Sequence, residues 1–126
     1  MIMVSEKPLD PGELIGRIDQ AGAGSLVIHL GIVKPEPAGG GRSAGITFSR
    51  QGDLEGELAA IEAELRRSFP LTDVLLARRL GRLVIGDYIL FVAAAAKDRD
   101  NAFAACRAAL ERAKGMKAIR KEEHYL

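Results

Sequence analysis

VLLARRLGRLVIGDYILFVAAAAKDRDNAFAACRAALERAKG, residues 74–115, decides the architecture. Val74–Leu80 and Leu83–Ala96 read as strands, the second interrupted near Gly86-Asp87 by turn chemistry. The pattern then changes period. After Asp98 or Asp100 as a capping carboxylate, Phe103, Cys106, Leu110 and Ala113 recur at spacings of three, four and three, which predicts a helix. Gly115 stands where a helix end favours a left-handed residue.

Working outward from this stretch, Asp53 caps a second helix with Leu54, Leu58, Ile61 and Leu65 on one face and Pro70 as its stop. Its acids fall early and Arg66 and Arg67 fall late, as the helix dipole favours. KPEPAGGGRSAG, residues 34–45, holds two prolines and four glycines, which predicts a mobile loop followed by a short strand at 46–48. Before it, SLVIHLGIV is long enough for a strand, with Leu26, Ile28, Leu30 and Ile32 on one face and Val27, His29, Gly31 and Val33 on the other. Asp10, Pro11 and Glu13 open a short first helix carrying Leu14, Ile15 and Ile18, and AGAG at 21–24 ends it. Met116–Tyr125 alternates as a final edge strand. The expected order is αββαββαβ in a single domain, 1–126: an α+β sandwich with a largely antiparallel sheet and three helices.

Composition narrows the function classes. Of 126 residues, 48% are hydrophobic and 28% charged, a globular balance, and the net charge of +1 gives no global field for nucleic acid or membrane. Cys106 is the only cysteine, which excludes an internal disulfide and a multi-thiolate metal site. The longest apolar run, Ile89–Ala96, is far short of a membrane span, and MIMVSEKPLD lacks a signal-peptide core, so the cytoplasm is the expected compartment.

Charge is nevertheless segregated. Asp53, Glu55, Glu57, Glu62 and Glu64 run without a cation, whereas Arg112–Lys121 gathers five cations and no acid. Dipole complementation at a helix C-terminus accounts for Arg112 and Lys114, but not for Lys117, Arg120 and Lys121. Arg99 sits at the start of the same helix, where free N–H groups already favour an anion. Clustered ammonium groups depress one another's pKa, which can leave one a usable amine near neutral pH. The cluster points to an anion site around Lys114 and Lys121.

Weaker patterns resolve to ordinary chemistry. GGGR lacks the lysine-serine or lysine-threonine of a P-loop, and Gly22-Ala23-Gly24 precedes a strand instead of following one. His29 has no neighbouring ligand in sequence and reads as a packed ring; His124 reads as solvent-facing; Cys106 lies on an apolar helix stripe. No metal ligand set and no serine–histidine–acid set can be assembled.

Three stretches, GSLVIHLGIVK, LLARRLGRLVIGDYILFVAAAAKDRDNAF and AKGMKAIRKEE, resemble the large, catalytic subunit of molybdopterin synthase, the MoaE family, over about Gly22–Glu123. The most specific parts are the Arg-Leu-Gly-x-Leu-x-x-Gly-Asp run at 79–87, Arg-x-x-Ala-Phe at 99–103, and lysine, six residues, lysine-acid-acid at 114–123. The resemblance implies an α/β-hammerhead-like sandwich and an enzyme that makes molybdopterin from cyclic pyranopterin monophosphate. No cofactor would be bound permanently. Sulfur would arrive as a thiocarboxylate on the Gly-Gly tail of a ubiquitin-like small subunit, with a homodimer of this chain and two small subunits forming a heterotetramer. Lys114 and Lys121 are the implied catalytic pair. Lys34 stands where the family has an arginine, and Arg99 matches the arginine of a His-Arg pair. With Arg79 and Lys117 they are the candidate phosphate-binding cations, and His29, Asp98 and Met116 are candidate pocket lining. The chain departs from the family pattern in places: its two His-Arg pairs are Arg78-Arg79 and Asp98-Arg99 here, an aromatic stretch before the second lysine is Ala118-Ile119-Arg120, and a tyrosine-bearing segment is Thr47-Phe48-Ser49-Arg50. The rival readings are a non-catalytic dimeric scaffold or regulator and, against the scarcity of aromatics and the small net charge, a nucleic-acid-binding module.

Overall fold

A computed structural model describes all of residues 1–126. The elements run β1 (Ile2–Ser5), α1 (Pro11–Gly16), β2 (Ser25–Ile32), β3 (Ser43–Arg50), α2 (Leu54–Ser68), β4 (Asp73–Arg79), β5 (Gly81–Leu83), β6 (Tyr88–Ala96), α3 (Arg99–Lys114) and β7 (Ile119–Tyr125). Two sheets form, a four-stranded one in the order β1-β4-β6-β2 and a three-stranded one in the order β5-β3-β7. All pairings are antiparallel except β1 with β4.

β6 is buried on both faces, which is why it reads as a continuous apolar run rather than an alternating one. Leu90, Val92 and Ala94 face the main core, and Phe91, Ala93 and Ala95 face a second, smaller one. α2 and α3 cover the first face through Leu54, Leu58, Ile61 and Leu65 and through Ala105, Cys106, Ala109 and Ala113. Leu9, Leu14 and Ile18, on and around α1, cover the second against Leu75 and Ala77. Each leucine fully withdrawn from water contributes roughly 2 kcal/mol, so the α2 stripe anchors that helix firmly. Caps set the boundaries. Asp10 accepts from the Gly12 and Glu13 amides, Asp53 from Gly56 and Asp98 from Asn101.

The structure departs from several expectations. An N-terminal strand exists that the sequence pattern did not reveal, because its four half-buried residues owe their conformation to pairing with Leu76–Arg79 rather than to local periodicity. The long strand Leu83–Ala96 is two strands in different sheets, with β5 and β6 parted at Val84–Asp87. β3 starts at Ser43, so the loop ends sooner than position 45. Gly45 there has φ +118, and an added Cβ would lie 2.4 Å from the Leu83 oxygen, so close strand pairing demands glycine. Gly115 ends α3 at φ −89, with no left-handed residue; its N–H bonds back to Arg112 instead. Phe103 is 61% exposed, and an alanine face replaces it in the α3 contact. His124 is half-buried, 2.7 Å from the Thr47 hydroxyl, rather than solvent-facing.

Candidate active site

α3 runs over β2 and ends at Lys114; the chain then turns and returns as β7 along β3. The register pairs Lys121 with Phe48 and Glu123 with Ile46, and paired residues project to the same face, so Lys121 points the way Phe48 does. Lys114 and Lys121, seven residues apart in sequence, thereby line one cleft of about 350 Å³. β2 contributes His29 and Gly31 to its wall, with Lys34 just beyond the strand. Phe48, Arg78, Ile89, Leu90 and Leu110 complete the lining. A smaller cavity of about 190 Å³ shares Lys34, Phe48, Ile89 and Lys121 and continues beneath Pro37 and Ala38 of the glycine-rich loop.

The electrostatics are one-sided. Lys34, Arg78, Lys114 and Lys121 are cations in the larger cleft, and no carboxylate lines it. One counter-charge, Glu123, lines the adjoining cavity, 3.5 Å from the Lys121 ammonium. Arg78 is 8% exposed, its guanidinium sits 4.5 Å from the centre of the Phe48 ring, and burial alone pushes its pKa down to about 10. A site of this volume with apolar walls and convergent cations suits a small anionic ligand.

The remaining candidates lie elsewhere in the chain. Period-two alternation puts Arg79 on the opposite face of β4 from Arg78, where its Nε donates to the Leu80 oxygen at 3.2 Å. Asp98 and Arg99 are exposed at the far end of α3, about 22 Å of helix from Lys114. The Asp98 carboxylate accepts from the Asn101 amide at 2.9 Å and side chain at 2.8 Å, which holds its pKa below the usual carboxylate value. Lys117 is exposed outside the cleft, and Met116 belongs to the main core. Arg78 and Phe48 are the residues that sequence reasoning missed. The available signal was alternation: in β4, position 78 shares the inward face with Val74 and Leu76, an unusual place for a charge.

No group of three or more histidine, cysteine or acidic side chains is arranged to hold a metal ion. No helix is long and apolar enough to cross a membrane.

A family model described as MoaE protein matches residues 4–116. The molybdopterin synthase catalytic subunit of Halalkalibacterium halodurans is 28% identical over 123 residues, which cover 97% of this chain and 78% of that protein. The subunit of the same name from Cereibacter sphaeroides is 35% identical over 103 residues, 82% of this chain and 69% of that one. Among solved structures, molybdopterin synthase from Staphylococcus aureus superposes with a TM-score of 0.89 at 24% identity, covering 98% of this chain and 90% of that chain. A complex of subunits 1 and 2 of molybdopterin-converting factor from Helicobacter pylori gives 0.75 at 19% identity, covering 98% and 88%. Those two likenesses concern the fold, while the family model spans nearly the whole sequence, and on that ground this chain belongs to the MoaE protein family.

Proposed function

We propose that this chain is the large, catalytic subunit of a molybdopterin synthase, working in the cytoplasm in molybdenum cofactor biosynthesis. The observation that carries the reading is the meeting of Lys114 from α3 and Lys121 from β7 in one cleft that also holds Lys34 and Arg78 and no acid. Cyclic pyranopterin monophosphate brings a phosphate, and the Gly-Gly tail of a ubiquitin-like small subunit brings a thiocarboxylate. Both are anions, and cations already fixed in place meet such charge without reorganising during the reaction. The sulfur of one tail forms a bond to a pterin side-chain carbon as the cyclic phosphate ester there opens to a monoester, and water then cleaves the sulfur's bond to the tail carbonyl, leaving that tail a carboxylate; a second thiocarboxylated tail repeats the transfer at the neighbouring carbon with loss of water, which completes the dithiolene of molybdopterin. Lys114, exposed at the end of α3, donates hydrogen bonds to oxygen where negative charge develops, and Lys121 holds the second anionic group. Two copies of this chain with two small subunits make up the assembly. No resident cofactor is needed for these steps.

The test is reconstitution. Purified chain, thiocarboxylated small subunit and the cyclic pterin phosphate should yield dithiolene product, and Lys114→Ala should lower the rate at least 100-fold, about 2.7 kcal/mol of transition-state stabilisation. A complex that forms with the small subunit but moves no sulfur would favour the non-catalytic scaffold. That reading has one observation on its side: the position of a family His-Arg pair holds Asp98, which is engaged as a helix cap.

A further inference from the structure

Arg78 is a buried cation that nothing in the chain satisfies. Its Nε has no hydrogen-bond partner, and no acid offsets the burial that depresses its pKa. The Phe48 ring covers one face of the guanidinium. A ring face attracts the positive charge but accepts no in-plane N–H hydrogen bond, so the donor edge stays uncommitted. That residue also lines the cleft shared by Lys34, Lys114 and Lys121. A buried charge is normally paired or it is disfavoured, and an orphaned one at a ligand cavity implies a partner arriving from outside. The chemistry of the missing partner follows from the donor. A guanidinium fork is matched by a planar or tetrahedral oxyanion that can take two parallel hydrogen bonds, a match lysine does not reproduce.

We propose that Arg78 is the oxyanion receptor at the floor of the cleft, pre-oriented by Phe48 and completed by a phosphate group or a terminal carboxylate. The inference rests on the cleft assigned above as the active site, and it adds a binding residue that the lysine pair does not include. Lys114 and Lys121 are exposed and meet the charge that develops at the reacting atoms. Arg78, held in the sheet and under an aromatic ring, fixes the anion around which they work.

Binding is measured by calorimetry at constant ionic strength, with inorganic phosphate as one probe and a peptide ending in Gly-Gly with a free carboxylate as the other. The proteins are wild type, Arg78→Met, Arg78→Lys and, as a control for lost charge outside the cleft, Arg67→Met. Arg78→Met should weaken at least one probe by tenfold or more, Arg78→Lys should restore part of the loss, and Arg67→Met should match wild type. The probe that loses affinity identifies the source of the anion. Thermal unfolding accompanies each titration: Arg78→Met should melt no lower than wild type, because methionine removes a charge the fold leaves unpaired. Equal binding by Arg78→Met and wild type, or a wild type that binds neither probe, overturns the proposal. Because no sulfur transfer is read, the two conclusions fail separately. Active wild type with Arg78-independent binding refutes only the receptor, and inactive wild type with Arg78-dependent binding refutes only the enzyme.

Discussion

Glu57 connects two parts of the chain that must hold still for Lys121 to face Lys114. It lies in the first turn of α2, and its carboxylate accepts from the Lys117 amide at 3.0–3.1 Å and the Ala118 amide at 3.0 Å. These amides belong to the crossing from α3 into β7, whose pairing with β3 sets where Lys121 points. Hydrogen bonds to a charged acceptor contribute about 1.5–3 kcal/mol each. The site is partly solvated, so the lower end applies to both donors, and Glu57→Ala should cost about 3 kcal/mol. For a domain of this size that is a fall in Tm of about 10 °C. Glu55→Ala is the control. Glu55 is an acid of the same helical turn, but its partner is the exposed Arg50, and an exposed pair contributes less than about 1 kcal/mol. Denaturant unfolding gives the two energies, and amide hydrogen exchange gives the location. Glu57→Ala should release protection at Lys117 and Ala118 and slow sulfur transfer in the reconstituted system. Equal losses for the two variants, or unchanged protection at 117 and 118, would refute the reasoning.

Three further outcomes are expected. Gly45→Ala combines φ +118 with a Cβ 2.4 Å from the Leu83 oxygen and should lose at least about 2 kcal/mol in denaturant unfolding, whereas Gly16→Ala, with open space around its Cβ, should stay within about 0.5 kcal/mol. Burial alone would raise the Asp73 pKa, but hydrogen bonds from the Asp19 amide, Arg66 and the Val74 amide outweigh it, so the native value lies below 3.8. With the native form binding fewer protons than the unfolded one, this contribution is complete above pH 3.8 and is lost as pH falls through the native value; Asp73→Asn should flatten the acid limb of a stability–pH curve. Burial raises the Cys106 thiol to about 11 from 9.0, so alkylation by iodoacetamide at mildly alkaline pH should run about 100-fold slower in the native protein than in denaturant.

The elements that local chemistry specifies were legible in the sequence. Asp10, Asp53 and Asp98 are caps in the structure, and the α2 stripe is buried as its spacing requires. What escaped depends on distant partners. β1 is held by β4, and the division of Leu83–Ala96 between two sheets follows from β5 pairing with β3 while β6 pairs with β2 and β4. On α3 the helical period was right, and Cys106 and Ala113 are buried as expected, but the buried face is centred on Ala102, Ala105 and Ala109 and leaves Phe103 exposed. The site divides in the same way. Lys114 and Lys121 stood out as a basic cluster, whereas Arg78 looked like one more cation until its place on the inward face of β4 gave it a cavity and an aromatic neighbour.

A double-mutant cycle tests the central claim most directly. Single-turnover sulfur transfer is measured for wild type, Lys114→Ala, Lys121→Ala and the double variant, all saturated with thiocarboxylated small subunit. Two amines acting on one bound anion pair should be strongly coupled, with the double variant no more than about tenfold slower than the worse single variant. Losses that multiply across the two positions would show that the lysines act independently, and the shared cleft would not be the seat of the chemistry.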